Sequence, residues 1–208
     1  LLTTLAIDEN GEPSYAIEGS IFIGGAVIQW LRDELELITD ASETEKIAES
    51  IPNTNGVYIV PAFVGLGAPH WNSDCKGIIT GLTRGSNKKH IIRAALESIA
   101  FQVEDLLNCI SKDVKKPINK LFVDGGATNN KFLMQFQSNI SNVEILKPEN
   151  IESTSLGVCI MAGIKSKIWK NINHALKNKN IENIYKNKIN KSQRKAQIQN
   201  WKNALKQL

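Results

Sequence analysis

Leu121 to Gln137, LFVDGGATNNKFLMQFQ, is the stretch that most narrows what this chain can fold into. Leu121, Phe122 and Val123 form a short apolar run of the buried-strand type. Asp124-Gly125-Gly126 breaks the run, and Phe132, Leu133, Phe136 and Ile140 then recur at helical spacing. Strand, paired glycines and helix, in that order, describe an α/β unit. Glycine lacks a Cβ and accepts positive φ, so backbone comes close to a ligand there. The helix behind offers unpaired N–H groups and the positive end of its dipole. Ligands of open α/β sheets sit at such strand ends. The same glycines also suit a plain tight turn, with Asp124 closing it through its own carboxylate more often than serving as a metal or base residue. Spacing alone leaves both open.

The rest of the chain supplies matching units. Leu2 to Ile7 and Ser14 to Ile17 read as two strands joined by an Asn10-Gly11 hairpin turn. A helix is expected from near Ile23, with Val27, Trp30, Leu31, Leu35 and Ile38 on one face. Gly24 and Gly25 fall in its first turn, where propensity disfavours glycine, and Gln29 lies one turn beyond Gly25, on the same face. These glycines let the helix pack tightly on a sheet, or they face a ligand if that side points at Gly126. Ser42-Glu43-Thr44-Glu45 has the form of a capping box opening a short helix. Val57 to Val60 and Gly77 to Leu82 are expected strands. Between them lies an aperiodic Gly/Pro-rich loop containing His70, which reads as a surface or packing residue rather than a catalytic one. A long helix capped by Ser86 or Asn87 carries the stripe Ile92, Leu96, Ile99, Val103, Leu106 and Ile110. Val143 to Leu146 reads as a strand stopped by Pro148, and Ser153-Thr154-Ser155 as the cap of a helix over Leu156 to Ile164.

Charge separates the end of the chain from the rest. From Lys165 onward 12 basic residues stand against one acidic, Glu182, so residues 1–164 hold 13 of the chain's 25 basic and 20 of its 21 acidic residues. In the basic segment Lys alternates with Asn with little aromatic interleaving, which fits a solvated surface and no nucleic-acid partner. Ile198, Trp201, Leu205 and Leu208 predict a terminal amphipathic helix docked on the body. The expected division is a domain over residues 1–169 and a basic tail over 170–208. No apolar run reaches bilayer-spanning length, so no membrane partner is expected. Cys75, Cys109 and Cys159 are widely spaced and odd in number, as in reduced, cytoplasmic proteins. The opening LLTTLAIDENGE enters a strand without a start Met, which suggests a piece of a longer chain.

The catalytic inventory is sparse. His70, His90 and His174 lie far apart, without Cys or carboxylates at metal-ligand spacing, and neither GxSxG nor GxxxxGK[ST] occurs. Gly-flanked helix starts without an evident nucleophile or base suit one side of a binding cleft.

Four segments sharpen this picture: GGAVIQWLRDELELI, NTNGVYIVPAFVGLGAPHW, GIITGLTRGSNKKHIIRAALESIAFQ and VDGGATNNKFLMQFQS. Together, in order and over nearly the whole chain, they resemble the carboxy-terminal domain of the FGGY carbohydrate kinases, in particular the glycerol-phosphorylating group. The resemblance implies an α/β domain of ribonuclease-H-like fold, of the actin/hexokinase/Hsp70 ATPase type, with a mixed sheet flanked by helices. It implies a nucleotide site at Gly25, Gln29, Gly126 and Asn130, and no catalytic or metal residue in this part. ATP and Mg²⁺ are the implied cofactors of a full-length parent that converts glycerol and ATP to glycerol 3-phosphate and ADP. Glycerol would be held by an amino-terminal domain outside this sequence, and the parent would form dimers or tetramers. This chain alone is expected to be inactive. The alternatives are a related sugar kinase, such as one acting on xylulose, and a non-catalytic actin-like binding domain. Some bacterial members bind a sugar-transport regulator near the region of Asn183–Ile189; the sequence departs from the family there and such regulation is not expected.

Overall fold

The computed structural model describes residues 1–8, 10–178 and 180–208. The chain opens as a ribbon in which β1 (Leu2–Ile7) pairs antiparallel with β2 (Pro13–Glu18). Asp8 shapes the turn: one carboxylate oxygen accepts from the N–H groups of Asn10 (2.8 Å) and Glu12 (2.9 Å), and Gly11 supplies a φ of 85°. The next helix, α1 (Ala26–Asp33), is shorter than its apolar spacing predicts. It stops before Leu35, where Glu36 takes a left-handed φ of 50°. Ile38 reaches the core from the loop beyond, while Leu35 stays exposed.

Helix α2 (Glu43–Glu49) forms where expected, but not through the expected capping box. Ser42 makes no side-chain cap. Instead Glu43 turns back and accepts from the N–H groups of Thr39 (2.9 Å) and Asp40 (2.8 Å), satisfying backbone donors just before the helix. β3 (Tyr58–Val60) then pairs antiparallel with β4 (Ile78–Thr80). The loop between them is tied down by His70, whose Nε2 lies 3.3 Å from Asp105, and Asp105 also accepts from the Trp201 indole at 2.7 Å. His70 thus fastens a loop to the body.

The long α3 (Lys88–Asp113) is the spine of the core. Asn87 caps it, accepting from the Lys89 N–H while His90 Nδ1 accepts from the Asn87 N–H. Its predicted stripe is buried at Ile92, Leu96 and Ile99 but only half-buried at Val103, Leu106 and Ile110. Beyond the third turn the buried side shifts to Ala100, Phe101, Gln102 and Glu104.

β5 (Lys120–Phe122) corrects the buried-strand expectation, since it is the edge of a three-stranded sheet and Phe122 is 61% exposed. β5 runs parallel to β6 (Glu144–Pro148), with α4 (Lys131–Ser141) between them in sequence. A helical α5 (Ser153–Lys165) begins at Ser153, with Glu152 rather than the serines at its cap position. After α6 (Ile172–Ala175), Ile181–Tyr185 forms β7, which pairs antiparallel with β6, so the sheet is mixed. Sequence reading missed β7 in its Asn- and Lys-rich surroundings. Its alternation (Ile181, Asn183 and Tyr185 half-buried, Glu182 and Ile184 exposed) is the signal that could have shown it. Helix α7 (Lys191–Leu205) closes the chain, capped by Asn190 and Gln193. It buries Trp201 against Phe101, the rings stacked 5.2 Å apart at 7°.

Candidate functional site

Four elements meet around one cavity of about 600 Å³: α1, α2, α3 and the turn that opens α4. This is a usual size for a small-molecule pocket. Its lining includes the buried apolar side chains of Ile28, Leu96, Ile99 and Leu133 together with polar groups, of which Thr44 is buried.

The turn from β5 to α4 is built as its sequence dictates. Gly125 has φ 80° and ψ 169°, a conformation that side chains resist. Its N–H donates to the Ile151 carbonyl at 3.0 Å, and its carbonyl accepts from the Thr128 N–H and hydroxyl. Thr128, not Asp124, closes the turn, which corrects the expectation for Asp124. Gly126–Asn129 follows as a turn of 3-10 helix, and Asn130 caps α4 by accepting from the Leu133 N–H at 2.9 Å.

All four residues singled out from the sequence, Gly25, Gln29, Gly126 and Asn130, line this cavity. Gly25 occupies the cap position of α1, and Gly126 begins the 3-10 turn. A Cβ built on either would meet nothing within 4 Å. For Gly25 this argues against the close-packing reading: the position looks onto open space. Gln29 is exposed, and no hydrogen bond among the described residues engages its carboxamide, so both its donor and its acceptor are free to meet a ligand. Asn130 is different. Its oxygen is committed to the α4 cap and its amide donates to Thr44 Oγ1 at 3.1 Å.

Sequence reasoning missed the contribution of α2. Thr44 and Glu45 line the cavity, and the Glu45 carboxylate accepts from the Lys131 N–H at 2.5 Å. The SETE segment carries the signal for a helix start, but nothing local in it points to Asn130 or Lys131. Behind α2, Arg93 donates to Glu97 at 2.8 Å and to the carbonyls of Ala48 and Ile51, and it stacks 4.8 Å from the centre of the Phe132 ring. Burial pushes the Glu97 carboxyl up to about 7, against the opposing pull of Arg93.

Among the described residues no three His, Cys, Asp or Glu side chains gather as a metal site. No helix among the described residues is long and apolar enough to cross a membrane.

Residues 1–166 match the carboxy-terminal domain model of the FGGY family of carbohydrate kinases. The chain belongs to that family. It is 53% identical over 205 residues to a glycerol kinase of Shewanella piezotolerans and 49% identical to one of Shewanella halifaxensis. Each alignment covers 99% of this chain and 42% of the relative, so the chain spans less than half their length. Among solved structures, Plasmodium falciparum glycerol kinase with ADP superposes with a TM-score of 0.89 at 37% identity, over 99% of this chain and 41% of that one. A Lactobacillus acidophilus xylulose kinase, with a TM-score of 0.75 at 23% identity over 95% of this chain and 42% of its own, shares the fold. The fold is thus that of the sugar-kinase branch of the actin/hexokinase type, as the sequence implied.

Proposed function

We propose that this chain forms the adenine-nucleotide side of the cleft of an ATP-dependent glycerol kinase. The observation that carries the reading is the convergence of Gly25, Gln29, Gly126 and Asn130 on one cavity lined in part by buried apolar side chains. Two bare glycines leave room for a flat base or sugar against backbone. Gln29 offers an unengaged carboxamide for orientation, while Ile28, Leu96, Ile99 and Leu133 exclude water from an apolar ring face. The likeness to a kinase crystallised with ADP supports a nucleotide as the ligand.

In this reading residues 1–169 form the nucleotide-binding domain, and 170–208 form a basic segment whose last helix packs on the same body. Phosphoryl transfer rests on positioning and charge stabilisation around the phosphates. In this reading glycerol, the catalytic base and the Mg²⁺ site belong to the rest of the kinase, and the complete protein works in the cytoplasm as a homo-oligomer. A polypeptide of the relatives' full length carrying this sequence should convert ATP and glycerol to ADP and glycerol 3-phosphate, and the 208-residue chain alone should not. A full-length protein that phosphorylates xylulose in preference to glycerol would assign the family but refute the substrate. Turnover by the chain alone would refute the division of labour.

A further inference from the structure

The cavity has two walls that are not adjacent in sequence, α2 and the first turn of α4. Two side chains of α2 fasten them together. Thr44 is buried, donates its hydroxyl to the Ala41 carbonyl at 2.6 Å and accepts from Asn130 Nδ2 at 3.1 Å. Glu45 accepts from the backbone N–H of Lys131, the first residue of α4, at 2.5 Å. A second α4 donor, the Leu133 N–H, is already taken by Asn130. The amides that a helix start would offer to an anion are thus met partly by protein acceptors, one of them a carboxylate. Arg93 holds the other end of α2 through the Ala48 and Ile51 carbonyls, so α2 is fixed at both ends.

We propose that Thr44 and Glu45 are positioning residues for the nucleotide: they set the separation of the two walls, and the Glu45 carboxylate keeps anions off the start of α4. The ligand's uncharged end is then received at this wall, and its phosphates lie elsewhere. The inference rests on the reading of the cavity as a nucleotide site. Neither residue needs to touch the ligand. Thr44 acts through Asn130, whose cap orientation depends on a hydroxyl acceptor that a methyl group of the same shape does not supply.

The test uses the 208-residue chain, followed by amide NMR during titration with ADP and, separately, with inorganic phosphate. Thr44→Val should weaken ADP binding about fivefold, the scale of one ordinary hydrogen bond, and Thr44→Ser, which keeps the hydroxyl, should restore it. A part in folding alone would lower the melting temperature of Thr44→Val without changing ADP affinity in the folded protein. Glu45→Gln keeps an acceptor for the Lys131 N–H but removes the charge, so phosphate should shift the Lys131 amide in this variant and not in the wild type. Equal ADP affinity for Thr44→Val and wild type overturns the positioning role. If Thr44→Val does not fold, a Lys131 amide blind to phosphate in Glu45→Gln overturns the proposal on its own. A wild type that ignores ADP defeats the nucleotide reading itself, and that arm separates the two failures.

Discussion

The β1–β2 ribbon and the α3–α4–α7 body obey the same rules of patterning, yet only one of them is buried. On the ribbon, the pairs Thr3/Ile17, Leu5/Tyr15 and Ile7/Pro13 share one face. That face is apolar apart from Thr3 and open, with Leu5 68% and Tyr15 76% exposed. In the body, Phe101, Phe136 and Trp201 form an aromatic cluster, and Trp201 is 1% exposed. Among the described residues the hydrophobic core begins at Ile23 and takes nothing from the ribbon. A period-two apolar pattern therefore specifies a strand and its face, but packing depends on what lies opposite. The stability of this chain resides in the body, and so does the candidate site.

That contrast is easiest to break at Trp201. Trp201→Ala removes a stacked ring and leaves Asp105 with one fewer donor, so it should cost about 3–5 kcal/mol in urea unfolding. Next comes Glu97. Its carboxyl titrates near 7 in the folded chain against an ordinary 4.5. The folded state therefore binds more protons than the unfolded state between these values. The contribution is fully present below about 4.5 and is lost as pH rises through about 7. Relative to Glu97→Gln, the wild type should lose on the order of 3 kcal/mol across that window, read as the difference between two pH series of unfolding curves. A stability difference that stays flat would mean that Arg93 holds Glu97 ionised throughout.

Gly125→Ala forces a side chain into φ 80° and should cost about 1–2 kcal/mol. Gly126→Ala meets open space and should leave the melting temperature nearly unchanged while weakening ADP binding. Tyr15→Ser on the exposed ribbon should change stability by less than about 0.5 kcal/mol. A larger loss there would show that the ribbon face is covered in solution.

Much of the site was legible because glycine leaves a strong mark. DGG after an apolar run pointed to the turn, whereas Asn130 came only with the resemblance to the FGGY kinases. Gln29 came from its spacing to Gly25. What could not be read was who closes the turn and who lines the far wall. Asp124 and Thr128 are equally plausible by type, and only three-dimensional geometry gives the role to Thr128. Thr44 and Glu45 lie more than 80 residues from their partners, Asn130 and Lys131, a distance no local pattern spans. β7 escaped because its cross-strand partner, β6, is far away in sequence and its own composition resembles a loop.

The most direct test of the central claim is an ADP titration of the wild-type chain followed by amide NMR. Binding weaker than about 1 mM is expected from a cleft open to water on one side. Progressive shifts are expected at Gly25, Gln29, Gly126 and Asn130 and in the residues lining the same cavity. Shifts that leave these four unmoved and gather on another surface would contradict it.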